Sequence, residues 1–200
     1  MAAPSRRKRF DQARLINIAN GLTAARVLLV PLFAYLLISE EFRLALLVFA
    51  VCGASDMLDG LLARWLHQRT VVGFYLDPIA DKLLMATSFV VLAIVKVVPI
   101  WLSIMVISRD VFILIGSLLF LLLLDSEDIA ATGISKWNTA VQILTVIYFL
   151  ATRAFPGIWD LAGAGIEPLA AKAVIGTCAL LTGISGFHYL LIGVRKLSRV

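Results

Sequence analysis

The fold prediction starts from residues Ser55–Leu84, which read SDMLDGLLARWLHQRTVVGFYLDPIADKLL. Four aspartates lie in it: Asp56, Asp59, Asp77 and Asp81. The first pair is spaced i, i+3 and the second pair i, i+4, so on helices each pair shares one face. Between them Trp65–Gly73 carries a His, a Gln and an Arg, which is typical of a polar turn between two membrane helices. The stretch therefore predicts a helical hairpin that brings two pairs of carboxylates together.

Such a cluster needs compensation inside a membrane. A carboxylate at the bilayer centre costs about 2.5–3.5 kcal/mol on insertion scales, so four uncompensated ones cost roughly 10 kcal/mol. They therefore require cations or a wet cavity. Oxygen ligands favour hard ions such as Mg²⁺, Mn²⁺ or Ca²⁺. Two carboxylate pairs predict a two-metal site, which can activate a nucleophile and stabilise a phosphate leaving group.

Composition places the whole chain in a membrane. The 200 residues are 61% hydrophobic with a mean hydropathy of +0.97, whereas a soluble domain is about 45–50% apolar. Residues 1–200 are expected to form a single membrane domain. Its net charge is +5, and basic residues crowd both chain ends. The positive-inside rule then puts both ends in the cytoplasm, which requires an even number of spans. Membrane lipids are the expected counter-charge, and no nucleic acid is expected.

The hydropathy pattern predicts an all-α integral membrane protein with six transmembrane helices. The expected spans are Gly21–Ile38, Phe42–Leu66, Phe74–Val98, Ile100–Leu124, Ile134–Ala151 and Pro168–Gly193. Residues 1–15 are expected to form an amphipathic juxtamembrane helix with its arginines outward. Ser39–Arg43 is expected to be a tight turn. Expected helix-start features are Asn20 or Thr23 as a cap, Pro78 in a first turn, and Ser135 as a cap.

Three cations inside or beside these spans are candidate phosphate ligands. Arg26 either snorkels to head groups or faces the aspartate cavity. Arg109 and Asp110 are adjacent in mid-span, so they are expected to point different ways. Arg109 is expected in the polar cavity and Asp110 against a partner helix or backbone; an intramembrane ion pair is the alternative. Lys136 near a helix start indicates an anionic ligand, although snorkelling explains it equally well.

Small and sulfur-bearing residues give further expectations. Cys52 and Cys178 both fall in apolar runs and are expected to be buried and unpaired. Gly176, Gly183 and Gly186 allow close helix packing in the last span, either as a dimer seam or as a contact within the chain. A homodimer is the expected assembly. His188 is expected to be a core or interface residue rather than a ligand.

Eight residues of the central stretch match one pattern without a gap. D-x2-D-G-x2-A-R-x8-G-x3-D-x3-D fits Asp56, Asp59, Gly60, Ala63, Arg64, Gly73, Asp77 and Asp81. This resembles the signature of the CDP-alcohol phosphotransferase family, whose enzymes move a phosphatidyl group from CDP-diacylglycerol to an alcohol and release CMP. The resemblance implies that the four aspartates bind two divalent cations, Mg²⁺ or Mn²⁺, and that Asp81 is the general base. It also implies a CDP site lined by Gly60, Ala63, Arg64 and Gly73.

Three further stretches resemble the eukaryote-type cardiolipin synthases: EEFRLALLVFA at 40–50, ISRDVFILIG at 107–116 and ISKWNTAVQ at 134–142. This resemblance implies phosphatidylglycerol as the acceptor, with cardiolipin and CMP as products. The alternative is phosphatidylglycerophosphate synthase, which uses glycerol 3-phosphate and shares the signature and the N-terminal LTxxR pattern. An ion transporter is a remote alternative, because transport does not require the spacing of Gly60, Arg64 and Gly73. Ala19 stands where the family usually has a proline.

The expected location is the bacterial inner (cytoplasmic) membrane, with the active site facing the cytoplasm. The basic N-terminal stretch is followed by Asp11, and the first apolar run has no cleavage-like end. A secretory signal peptide is therefore not expected. A transit peptide is not expected either, because it would be longer and free of acidic residues.

Overall fold

The computed structural model describes residues 18–65, 71–124, 133–158 and 166–197, with side chains over 25–55, 82–116, 133–157 and 168–192. Six α-helices and no strand occur in these residues, so the all-α prediction is confirmed. The helices are α1 (Ile18–Ile38), α2 (Phe42–Trp65), α3 (Val71–Ile94), α4 (Ile100–Leu124), α5 (Gly133–Ala154) and α6 (Ile166–Leu197). A short 3₁₀ turn, Pro156–Ile158, follows α5. The predicted helix over 1–15 lies outside the described residues, as does the acidic segment 125–128 between α4 and α5.

The helices alternate in direction along the bundle. Phe33 of α1 and Phe49 of α2 have ring centroids 5.8 Å apart across a tight hairpin. Arg43, at the start of α2, donates to the carbonyl of Ala154, at the end of α5, with a 3.0 Å Nε–O distance. Because α2 and α5 also pack side by side, they run antiparallel. The start of α1 and the end of α6 therefore lie at the same end of the bundle.

Two hairpin turns at the opposite end have the same geometry. Glu40 and Lys96 have φ angles of 58° and 59°, the left-handed region that glycine usually occupies. The Lys96 N–H donates to the Ala93 carbonyl at 3.1 Å, and the Val97 N–H to the Leu92 carbonyl at 2.9 Å. This bonding is a Schellman motif, which ends a helix by satisfying its last carbonyls. The prediction that α3 continues to Val98 is therefore wrong, because the helix stops at Ile94.

Helix starts also differ from expectation, because four helices (α1, α3, α5 and α6) begin earlier than predicted. The α1 helix begins at Ile18, so Asn20 and Thr23 lie inside it. The α3 helix begins at Val71, which puts Gly73 in its first turn rather than in the loop, and places Pro78 beyond the first turn. Ser135 is the third residue of α5 and does not cap it. A cap assignment read from sequence depends on the first helical residue, which periodicity fixes poorly.

Apolar side chains fill the half of the bundle that holds the two hairpin turns. The fully buried ones include Phe33, Leu37, Phe89, Leu92, Leu102, Val146 and Leu150. Arg43 closes this end, since its guanidinium lies 5.5 Å over the ring of Phe155. Cys52 and Cys178 are buried and free, as predicted.

Large apolar side chains also cover the outside of the helices. Highly exposed examples are Leu28, Tyr35, Phe112, Trp137, Leu180 and Phe187. Monomeric soluble proteins rarely expose contiguous apolar surface on this scale. Within the described side chains, one stretch, Pro168–Ile192, is long and apolar enough to cross a membrane, with a mean hydropathy of 1.5.

Candidate active site

The signature residues lie on two helices. The second half of α2 carries Asp56, Asp59, Gly60, Ala63 and Arg64, and the first half of α3 carries Gly73, Asp77 and Asp81. Each aspartate pair therefore sits on a helical backbone, as the spacing predicts. The eight side chains lie outside the described residues. Among the side chains that the structure does describe, His, Cys, Asp and Glu form no group able to hold a metal ion.

Antiparallel packing fixes which part of α5 lies at the level of the first aspartate pair. Arg43 contacts Ala154 where the two helices meet. Asp59 lies as many residues after Arg43 on α2 as Asn138 lies before Ala154 on α5. Since both helices rise about 1.5 Å per residue, the two backbones lie within about one helical turn of the same height. The same count places Gln142 level with Ser55. Two buried amides of α5 therefore lie across from the aspartate-bearing part of α2.

Arg26 occupies the same level on α1. It lies as far before Phe33 as Asp56 lies after Phe49, and those two rings are in contact. Its side chain is only 2% exposed. Burial this complete excludes the snorkelling interpretation and favours the inward one.

A buried ion network joins α3, α4, α5 and α6 on the side of the bundle near the signature. Asp110 of α4 accepts from Lys82 of α3, with an Nζ–Oδ2 distance of 2.8 Å. Its other oxygen accepts from Arg109, with an Nη1–Oδ1 distance of 2.7 Å. Arg109 also donates to the Ser185 hydroxyl of α6, with an Nη2–Oγ distance of 2.6 Å. Its Nη2 lies 2.7 Å from the Ser135 hydroxyl of α5.

This network confirms that Asp110 binds a partner helix, through Lys82 of α3, and corrects the expectation that Arg109 and Asp110 point apart. Adjacent Cα–Cβ bonds do diverge on a helix, but the Arg109 side chain is long enough to bring its guanidinium back to Asp110. The structure therefore also shows the ion pair between the two residues that was the alternative. Lys82 was missed, because its pairing with Asp110 depends on how α3 packs against α4. The register of α3 against α4 is known only from the structure of their antiparallel hairpin. In it the Ser103 hydroxyl donates to the Phe89 carbonyl at 2.7 Å.

Polar side chains line one face of α5. Asn138, Gln142 and Thr145 are all buried, and their spacing of four and three residues puts them on one face with Ser135. The Thr182 hydroxyl of α6 donates to Asn138 Oδ1 at 3.0 Å. We call Ser135, Asn138, Gln142 and Thr145 the α5 polar face. Lys136 lies on the exposed side of the helix, so the structure does not bring it to the ion network.

Glycines on α6 let α4 approach closely. A Cβ added at Gly183 would lie 3.1 Å from Met105 Cε, and one at Gly186 would lie 3.7 Å from Arg109 Cγ. A Cβ at Gly176 would meet nothing within 4 Å. Two of the three glycines therefore serve a contact within the chain. His188 is partly buried on α6.

The donor set of the signature fits a pair of hard divalent cations. It offers four carboxylates on two consecutive helices and no thiolate, and carboxylate oxygens are the ligands that such cations prefer. Asp56, Asp59, Asp77 and Asp81 are the residues that would hold them.

Comparison with known proteins identifies the family. The family model described as CDP-alcohol phosphatidyltransferase matches residues 16–188, which is most of the chain. It covers all eight signature positions and all the polar residues described above.

Individual proteins that are similar to this chain have names that fit the same family. The chain is 38% identical over 155 residues to a cardiolipin synthase (CMP-forming) of Homo sapiens, covering 70% of this chain and 52% of that protein. A cardiolipin synthase (CMP-forming) of Streptomyces coelicolor is 38% identical, with 54% of this chain and 53% of that protein covered. A CDP-diacylglycerol–glycerol-3-phosphate 3-phosphatidyltransferase of Pseudomonas fluorescens is 35% identical, with 74% and 79% covered. The chain spans about half the length of the two synthases. With the family model matching most of its length, the chain belongs to the CDP-alcohol phosphatidyltransferase family.

Proposed function

We propose that this protein transfers a phosphatidyl group from CDP-diacylglycerol to phosphatidylglycerol, giving cardiolipin and CMP. The observation that carries the proposal is the intact eight-residue signature, whose backbone lies on the consecutive helices α2 and α3. Its α2 half lies across from the buried residues of the α5 polar face. The human and Streptomyces relatives named cardiolipin synthase support the choice of reaction.

The chain's own residues divide the chemistry between them. Gly60 and Ala63 leave one face of α2 open to the nucleotide, Arg64 pairs with the pyrophosphate, and Gly73 packs near the CDP. The alcohol has a pKa far above neutrality, so it must lose its proton as its oxygen bonds to the β-phosphorus that bears diacylglycerol. Asp81 accepts that proton, and the bond from that phosphorus to CMP breaks.

The family is generally dependent on divalent metals. We propose that two Mg²⁺ or Mn²⁺ ions are held by the four aspartates. When bound, such ions supply positive charge to the pyrophosphate of CDP-diacylglycerol. The carboxylates orient them, and the buried Arg26 adds positive charge at the level of Asp56.

Charge near the site supports a lipid acceptor. Arg109 gives its N–H groups to Asp110, Ser135 and Ser185, and Lys82 pairs with Asp110. A site for a dianion would more naturally carry cations not already paired with protein. Phosphatidylglycerol carries a single negative charge, and its attacking hydroxyl belongs to an uncharged glycerol.

Phosphatidylglycerophosphate synthesis from glycerol 3-phosphate is the second candidate, favoured by the likeness to the Pseudomonas enzyme. A single assay separates the two. Purified protein in mixed micelles receives CDP-diacylglycerol with both acceptors present, and the lipid products are read by mass spectrometry. Cardiolipin as the main product supports the proposal, and phosphatidylglycerophosphate as the main product overturns it.

The family is membrane-associated. For this chain we propose six membrane spans in a bacterial inner membrane, with the site facing the cytoplasm and an amphipathic helix over residues 1–15. Apolar exposed faces on the helices support the spans, and the shared end of α1 and α6 supports an even number. Reporter fusions at both chain termini should give cytoplasmic signals; opposite signals would exclude an even count.

We also propose a homodimer. Gly176 presents a face of α6 on which an added Cβ would meet nothing within 4 Å, so a second helix can approach closely there. Cysteine cross-linking at position 176 in membranes should trap a dimer. A monomeric mass in mild detergent, together with no cross-link, would exclude it.

A further inference from the structure

Two side-chain amides in the centre of the bundle have no hydrogen-bond partner for their N–H groups. Among the described residues, Asn138 Nδ2 and Gln142 Nε2 are buried and donate to no atom. The two residues are 0% and 1% exposed. Buried polar groups in proteins are nearly always hydrogen-bonded, so each exception needs an explanation.

Simple packing does not explain them. Leucine or methionine would fill nearly the same volume without burying an unsatisfied donor. Thr145, on the same face one turn further along, shows the usual solution, since its hydroxyl donates to the Val141 carbonyl at 2.8 Å. The amides of Asn138 and Gln142 are therefore placed to donate to something that is not part of the protein.

The positions of the two amides limit the kinds of ligand that they can bind. Asn138 lies level with Asp59 of α2, and Gln142 lies level with Ser55. The α5 polar face continues from them through Ser135 to the Arg109 guanidinium. The two amides thus lie across from the helix that carries the first half of the signature.

The charges of the nearby side chains limit the kind of ligand further. Both donors are neutral, and the cation nearest the α5 polar face, Arg109, is already paired with Asp110. Neutral N–H donors suit an uncharged oxygen such as a hydroxyl. The residues are one helical turn apart, with Cβ atoms about 5–6 Å from each other, so both amides can reach one small polyol.

We propose that Asn138 and Gln142 bind the head-group glycerol of the acceptor lipid, donating from Nδ2 and Nε2 to its hydroxyl oxygens. They are specificity-determining residues for the acceptor alcohol. This inference rests on the proposed function, because it takes phosphatidylglycerol as the acceptor.

The first test uses Gln142→Met, which keeps the volume and removes the donor. At saturating CDP-diacylglycerol, the mole fraction of phosphatidylglycerol that gives half-maximal CMP release should rise by roughly tenfold. The corresponding value for CDP-diacylglycerol should stay within about twofold. The unfolding temperature in detergent should hold or rise, because a buried unsatisfied donor has been removed. A structural role would lower it.

Thr145→Val is the matched control, because it alters the same helix face at a residue whose hydroxyl is already satisfied. It should leave both half-saturation values unchanged. The second variant is Asn138→Leu combined with Thr182→Val, which removes both members of the hydrogen bond between them. It should reproduce the effect of Gln142→Met.

The wild-type assay is read first. If wild type makes phosphatidylglycerophosphate instead of cardiolipin, the proposed acceptor is wrong, and the inference about its head group falls with it. If wild type makes cardiolipin but the phosphatidylglycerol value is unchanged in both variants, only the inference is overturned. A rise confined to CDP-diacylglycerol would assign the amides to the donor and would also overturn it.

Discussion

Arg109 and Asp110 are consecutive in sequence and form an ion pair with an Nη1–Oδ1 distance of 2.7 Å, in which Arg109 is buried and Asp110 partly buried. The Arg109 side chain is 4% exposed. With Lys82 bound to the other carboxylate oxygen, one acid serves two cations. Removal of that acid would leave two positive charges facing each other with a single network of serines to offset them.

Asp110→Ala should therefore destabilise the protein severely. Breaking a buried ion pair by removing one partner costs about 3–5 kcal/mol. The unfolding midpoint in detergent, followed by circular dichroism, should fall sharply. Lys82→Met is the matched variant, and it should cost much less, because Lys82 is 30% exposed and Asp110 keeps Arg109. If the unfolding midpoint fell equally in the two variants, Asp110 would not be the residue that stabilises both cations.

Activity should depend on a divalent cation. Purified protein should release CMP from CDP-diacylglycerol with Mg²⁺ or Mn²⁺ and stop in excess chelator, because four carboxylates in one stretch need cations to lie together. Restoring Mg²⁺ after chelation should restore the rate, which controls for unfolding. Full activity in excess chelator would exclude the metal proposal.

Asp81→Asn should lower turnover by at least ~10², because it keeps the shape of the side chain and removes the proposed base. The measurement is the CMP release rate at saturating concentrations of both lipids. Asp128→Asn, at an acidic position outside the signature, is the control and should keep its rate. Near-normal turnover of Asp81→Asn would show that another group takes the proton.

Lys96→Gly should stabilise the fold. Lys96 holds a φ of 59° at the end of α3, a conformation that costs an L-residue with a Cβ about 1–2 kcal/mol and glycine far less. An unfolding midpoint above wild type is expected in thermal melts. Because Glu40 has the same backbone geometry in the other hairpin, Glu40→Gly should act alike. A lower midpoint in both would show that the side chains themselves hold the turns.

Local pattern made the helices and the signature predictable. Apolar runs and their polar breaks located all six helices, and the i, i+3 and i, i+4 spacing assigned each aspartate pair to a helix. The ends of α3 were not predictable, because a lysine, not a glycine, takes the left-handed position after it.

Contacts between helices were not predictable either. The pairing of Lys82 with Asp110 depends on the register of α3 against α4, and the burial of Asn138 and Gln142 depends on the rotation of α5. A periodic pattern gives the face of a helix but not the neighbour that the face meets. A helix that is apolar all round does not even define the face, since large apolar side chains lie both inside the bundle and on its outer surface.

The apolar half of the bundle has a consequence for permeability. Phe33, Phe89 and Leu102, all fully buried, close the bundle along its axis between the hairpin turns and the polar layer. In a bilayer, a cavity that admits water from the opposite end would meet these apolar side chains, among the residues that the structure describes. They would hinder the passage of water and ions from a hydrated, charged reaction centre toward the hairpin turns.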